Sequence, residues 1–356
     1  MLRSTEYRGV ESPAGRSRIV VLDGFRALAI LAVLFYHYTV RWAQQLDPHP
    51  HLPEGKMFAG VVPLAYGWFG VELFFVISGF VIFMTLENCS GVVDFLVRRF
   101  ARIWPALLVA ATLTAVVLDL AGPSDWKVGL YDYVSSLLLI DPSVTAAVTH
   151  HPGVKWVDGV YWSLFVEIRF YVLAALVFLL SRGGFSRAWF VLQLTVFGGS
   201  LFIHGDLPLR AFDLITFADY MPYFTFGIFG YQVYRHARRD RSTFVGLAAS
   251  IGMALYYSTT GFGAFADKSP LICMIANALI FALFAFFLFD LRVVRIFAMA
   301  PVVSLGRASY SLYLLHQKCG IVLLRAFVGA GIPYLASMPI IVLLLVLAAL
   351  GFHRLI

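Results

Sequence analysis

The stretch Arg26-Ala-Leu-Ala-Ile-Leu-Ala-Val-Leu-Phe-Tyr-His37 decides how the chain is read. An unbroken apolar run separates two ionisable side chains. Such groups are expensive at membrane depth, so each marks a functional site by default. Eleven residues advance a helix by about three turns and return to within ~20° of the starting direction, roughly 16 Å along the axis. The spacing therefore places Arg26 and His37 on one face of one helix, at two depths.

The rest of the chain agrees with a membrane reading. It is 60% hydrophobic and 13% charged, with a mean hydropathy of +0.83. Soluble domains carry about 45–50% apolar and about 25% charged residues. The alternating short segments of a transmembrane barrel are absent. Expected spans cover about 20–40, 66–86, 101–120, 160–180, 188–203, 214–234, 243–260, 270–290, 302–324 and 335–352. The fold expected is an all-α polytopic bundle of about ten transmembrane helices. A short tail, 1–18, precedes a single membrane domain, 19–356. The tail has arginines but no apolar core, so it is no signal peptide by itself, and the first span would act as an uncleaved signal.

Charge sets the expected topology. With the N-terminus in the cytoplasm, sixteen Lys and Arg residues fall inside and seven outside. That bias follows the positive-inside rule and places both termini in the cytoplasm of a cell-membrane protein. It also accounts for most of the net charge of +7, and no nucleic-acid partner is expected. Two outer connections, 41–65 and 121–159, are long and rich in Pro, Gly, Asp and His, which suits work on an extracytoplasmic molecule. Within the second, 131–140 is too short to span and reads as interfacial or re-entrant. Cys89, Cys273 and Cys319 have no paired spacing, so neither a disulfide framework nor a metal site is expected.

The polar residues at membrane depth supply chemistry. His37 and Glu72 fall toward the outer leaflet, Glu167 lies a little deeper, and Arg26 lies toward the cytoplasm. Arg98, Arg99 and Arg102 mark the inner mouth of the third span. Guanidinium groups there suit phosphate, and a histidine paired with a carboxylate suits general-base work. An extended coenzyme A arm could bridge the two levels. Each feature also has a plainer reading as an anchor, a packing hydrogen bond or a structural counter-ion.

Five ordered motifs carry a resemblance. They are Leu22-Asp23-Gly24-Phe25-Arg26-Ala27 followed by His37, and Gly70-Val71-Glu72-Leu73-Phe74-Phe75-Val76-Ile77-Ser78-Gly79-Phe80. Then come Arg99-Phe-Ala-Arg102-Ile103-Trp104-Pro105, Trp162-Ser163-Leu164 with Glu167 and Tyr171, and Ser309-Tyr310-Ser311-Leu312-Tyr313-Leu314-Leu315-His316. Together they resemble the membrane acyltransferase-3 family, whose members O-acylate envelope polysaccharides, lipopolysaccharide, peptidoglycan, nodulation factors and macrolides. The resemblance implies an O-acyltransferase, in its stand-alone form without an SGNH domain. It would use acyl-CoA, most simply acetyl-CoA, as donor substrate and no tightly bound cofactor. The acceptor would be an extracytoplasmic or lipid-linked saccharide.

Under it, His37, Arg26, Glu72 and Glu167 are catalytic candidates, with Glu72 or Glu167 orienting the imidazole. Arg98, Arg99 and Arg102 are coenzyme-binding candidates. Trp162, Ser163, Tyr171, Tyr310 and His316 are substrate-binding candidates. The chain departs from the family's frequent His-x-Pro pattern at His316-Gln317-Lys318. The competing readings are a saccharide or amphiphile transporter that couples protons through His and Glu, and a non-catalytic membrane partner or sensor.

Overall fold

A computed structural model describes residues 8–11, 17–43, 51–181, 183–203, 206–236, 241–260 and 268–355. Of the expected inner arginines, Arg3, Arg16, Arg182, Arg238 and Arg239 lie outside the described residues, as does 44–50 of the first outer connection. The architecture is helical, apart from a short antiparallel pair, Arg8–Glu11 with Ser17–Ile19, ahead of the first helix.

Helices occur in all ten expected stretches, but they are not equal. Among the described residues, six are long and apolar enough to cross a membrane: Val20–Arg41, Gly67–Asn88, Val92–Ala121, Tyr161–Leu180, Pro270–Leu288 and Tyr334–Arg354. A seventh candidate is a broken pair, Ser309–Leu315 and Lys318–Gly329, bent by 63°. The protein is thus a multi-pass membrane protein whose described residues hold six or seven candidate spans, where composition suggested about ten. Phe185–Ser200 and Met221–His236 have 16 residues each, short of the ~20 that a bilayer core requires. Arg241–Thr260 is long enough, but Ser, Thr and Gly lower its hydropathy.

The third span also starts earlier than expected. Its helix begins at Val92, not near 101, so Arg98, Arg99 and Arg102 lie inside it. Asp94 sits in the first turn, where the helix dipole favours an acid. Its Oδ2 accepts from Ser90 N at 3.1 Å, and its Oδ1 from Arg98 Nε at 2.5 Å.

The chain divides into two compact units. The first combines Met1–Leu22, Val71–Arg99 and Arg169–Ala298. Gly79 and Gly227 let two of its helices touch backbone to backbone. A Cβ at Gly79 would overlap Phe224 O, and one at Gly227 would overlap Val76 O. Small residues are how helices approach closely when lipid supplies no hydrophobic drive between them. Two buried pairs also tie its helices: Trp189 Nε1 donates to Thr225 Oγ1 at 2.8 Å, and Tyr223 Oη to Asn277 Oδ1 at 2.7 Å.

The second unit combines Asp23–Gly70, Phe100–Ile168 and Met299–Ile356. In it the first helix stays α-helical to Tyr36 and then widens into a π turn, His37–Arg41. Leu108, Leu113, Val116 and Leu120 expose an apolar stripe on the Val92–Ala121 helix, as a lipid-facing surface requires. The stretch expected to be interfacial forms a nine-residue helix, Leu130–Leu138. Asp132 caps it, accepting from Gly129 N and Lys155 N at 2.9 Å each, and Ser136 Oγ accepts from Val157 N at 2.8 Å. Much of the 121–159 connection is therefore fastened rather than loose.

Candidate active site

The site builds up from His37, the first residue of the π turn. Its Nδ1 lies 2.8 Å from Val33 O and 3.2 Å from Nε2 of His316. A carbonyl only accepts, so Nδ1 carries the hydrogen. Nδ1 of His316 likewise lies 2.8 Å from Tyr313 O and donates to it. The Nε2 of His316 therefore presents a lone pair to the His37 Nδ1–H. Two backbone carbonyls set two tautomers, and together they leave His37 Nε2 with the lone pair. No described residue hydrogen-bonds to that atom. This is the arrangement that a general base needs.

His316 is held as firmly as the ring it orients. It is fully buried, and it ends the first arm of the broken pair. The break leaves its carbonyl outside the helical ladder, and Tyr38 Oη donates to that carbonyl at 2.6 Å. Tyr334 Oη donates in turn to Tyr38 O. Sequence reasoning expected a carboxylate, Glu72 or Glu167, beside the imidazole. The ring's hydrogen-bond partners are instead a carbonyl and the imidazole of His316.

Arg26 sits within a charged knot. Its Nη1 donates to Asp23 Oδ1 at 2.8 Å, and Arg307 Nε lies 3.5 Å from the other Asp23 oxygen. The Asp23 side chain is 1% exposed, against 15% for Arg26 and 37% for Arg307. Gly306 makes the knot possible: any Cβ there would overlap Asp23 O. Two guanidinium groups thus meet on one carboxylate. Only the fold ties Asp23 and Arg307 to Arg26.

The other candidates divide by what they touch. Ser163 Oγ and Tyr313 Oη share a hydrogen bond at 2.6 Å, and Tyr310 Oη donates to Ile103 O at 3.0 Å. These hydroxyls join helices of the second unit. Trp162 and Glu167 are half-buried on the Tyr161–Leu180 helix. In the first unit, Arg99 is half-buried, its guanidinium 5.7 Å from the Phe95 ring and 6.0 Å from that of Tyr171. Arg98 is exposed and paired with Asp94, and Arg102, in the second unit, is exposed. Glu72, also in the first unit, is fully buried, and neither carboxylate oxygen has a hydrogen-bond partner.

The unit-two geometry also shows residues that the motifs missed. Asp158, fully buried, accepts from Lys318 N at 2.9 Å and from Val160 N at 3.3 Å. It thereby caps the second arm of the broken pair. Trp42, His51 and Trp126 form an aromatic corner, with ring centroids 4.3 to 5.4 Å apart.

A family model described as an acyltransferase domain matches residues 19–353. The peptidoglycan O-acetyltransferase OatA of Listeria monocytogenes is 26% identical over 244 residues, which is 61% of this chain and 34% of that protein. The putative peptidoglycan O-acetyltransferase YrhL of Bacillus subtilis is 34% identical over 105 residues, 27% of this chain and 13% of that protein. A putative O-acetyltransferase of Staphylococcus aureus (strain COL) is 24% identical over 160 residues, 42% of this chain and 23% of that protein. The matched region spans about a third or less of the length of these relatives. No solved structure matches the chain.

Proposed function

Because the chain belongs to the acyltransferase domain family, we propose that it is a membrane O-acetyltransferase that moves acetyl from acetyl-CoA to a hydroxyl of a saccharide. In this reading the donor enters from the cytoplasm and the acceptor sits at the outer face. The chain resides in the cell membrane with both termini inside, as its charge pattern expects. The names of the peptidoglycan-modifying relatives support a saccharide acceptor.

One observation carries the mechanism: the Nδ1–H of His37 is fixed by Val33 O and His316, which leaves the Nε2 lone pair as the base. The acceptor hydroxyl donates its proton to that Nε2 as its oxygen attacks the acetyl carbonyl. The C–O ester bond forms, the C–S bond breaks, and His37 returns the proton to the departing thiolate. While the imidazolium exists, its Nδ1–H bonds become charge-assisted. Arg26 lies about 16 Å down the helix axis from His37. It is therefore assigned, with Arg307, to the coenzyme and not to the reacting carbonyl. Arg98, Arg99 and Arg102 are assigned to coenzyme phosphates, and Glu72 and Glu167 are assigned no proton-transfer step.

The test is acetyl transfer by the purified full chain in nanodiscs, from labelled acetyl-CoA to a panel of envelope oligosaccharides. His37→Ala should lose about 10²- to 10⁴-fold in turnover, the usual worth of a positioned base. Full transfer by His37→Ala would sink the assignment.

A further inference from the structure

Tyr38 follows the base directly in the π turn, and its side chain reaches the other histidine. Its hydroxyl donates to the His316 carbonyl at 2.6 Å, and both residues are fully buried. His37 and His316 are therefore joined twice: ring to ring at 3.2 Å, and through the adjoining tyrosine to the backbone. The ring contact sits at the long end of the hydrogen-bond range, so a shift of about 0.5 Å would open it. A contact that slack depends on whatever fixes the two backbones relative to each other.

Two further residues hold the tyrosine in that place. In an unbroken helix the carbonyl of residue 316 would accept from the N–H of residue 320. At the 63° bend the Tyr38 hydroxyl occupies that position, and Gly320 makes the room: a Cβ there would overlap Tyr38 Oη. At the other end of the residue, Tyr38 O accepts from Tyr334 Oη, which ties it to the Tyr334–Leu355 helix. All of these residues belong to the second unit. A buried carbonyl is costly to leave unpaired, so the hydroxyl and the His316 backbone stay together.

We propose that Tyr38 is a positioning residue for the transfer: by holding the His316 backbone, it keeps the His316 Nε2 lone pair on the Nδ1–H of His37. Gly320 serves the same end by leaving space for the hydroxyl. A donor from elsewhere in the chain would satisfy the carbonyl equally well. Only a donor carried by the residue next to His37 also fixes the separation of the two rings. The proposal rests on the acetyl-transfer reading and deepens it by naming what sets the histidine pair.

The test uses the full chain in nanodiscs, labelled with nitrogen-15 histidine, and two readouts. The first is the nitrogen–nitrogen coupling across the His37–His316 hydrogen bond, which needs no turnover. The wild type should show it, and Tyr38→Phe and Gly320→Ala should each lose it. The second is single-turnover transfer from labelled acetyl-CoA. Each variant should fall about 5-fold in rate, the worth of one ordinary hydrogen bond, with little change in either KM. In a His316→Phe background, Tyr38→Phe should change the rate less than twofold, because the contact it protects is already gone. A merely structural tyrosine predicts losses that multiply and a coupling that persists. Either result overturns the proposal. Absence of the coupling from the wild type overturns it whichever variants fold. No transfer by a wild type whose coupling is present, and lost in Tyr38→Phe, refutes the transfer reading alone.

Discussion

Replacing His316 with Phe removes the nitrogen that faces His37 while keeping a planar ring of similar volume. The Tyr38 contact survives, because Tyr38 donates to the backbone carbonyl of residue 316 and not to its ring. His37 Nδ1–H then keeps Val33 O at 2.8 Å and loses the weaker arm at 3.2 Å. A hydrogen bond to a neutral group contributes about 1 kcal/mol and one to a charged group about 1.5–3 kcal/mol. Only the gain on protonation of His37 affects the rate. For the longer arm that gain is about 1 kcal/mol, so kcat should fall roughly 5-fold with little change in either KM. Single-turnover transfer from labelled acetyl-CoA measures the rate. Nitrogen-15 spectra of histidine-labelled protein read the tautomer of His37, which should keep its Nδ1–H in the variant. Two results refute the reasoning: a rate within twofold of wild type, or a loss as deep as that of His37→Ala. The first would make the contact idle, and the second would make His316 a reacting group.

Gly306→Ala should cost about 1–3 kcal/mol, because its Cβ must push away Asp23 O and with it the backbone of the first helix. Thermal unfolding in detergent should show the loss, and coenzyme A affinity should fall as Arg26 and Arg307 separate. Asp158→Asn tests a buried acid: burial, the leading cause, lifts the Asp158 carboxyl above its ordinary range, against the pull of Lys318. A raised native value means that this group's contribution to stability is full below the ordinary carboxylate range and is lost as pH rises through the native titration. The stability of wild type minus that of Asp158→Asn should therefore decline as pH rises above 3.8, the ordinary value, as followed by denaturant unfolding at stepped pH.

Local features of this chain were open to sequence reading. Arg26 and His37 announced themselves because ionisable residues stand out against an apolar run. The helices fell where apolar stretches fell. What escaped was whatever depends on partners far along the chain. His37 meets His316 across 279 residues, and no periodicity encodes that meeting. The preference for Glu72 or Glu167 came from chemical habit, since a carboxylate is the usual companion of a catalytic imidazole. The late signature read as one span because the run through Leu315 stays apolar on both sides of the bend. The start of the third helix was missed because Arg98, Arg99 and Arg102 look like a loop of anchors, although Asp94 and Arg98 are spaced for a helical pair.

The π turn at His37–Arg41 has a consequence for how this chain could diverge. An i→i+5 turn holds one more residue than the α-helical turn on either side of it. Deleting one residue between 38 and 41 would let the segment close as an ordinary α-helical turn, leave His37 where Val33 anchors it, and keep everything beyond in nearly its present direction. Trp42 would stay beside Trp126 while the base stayed in register. The extra residue is thus slack that the rod can lose, and a change of one residue there spares both the aromatic corner and the proton-accepting nitrogen.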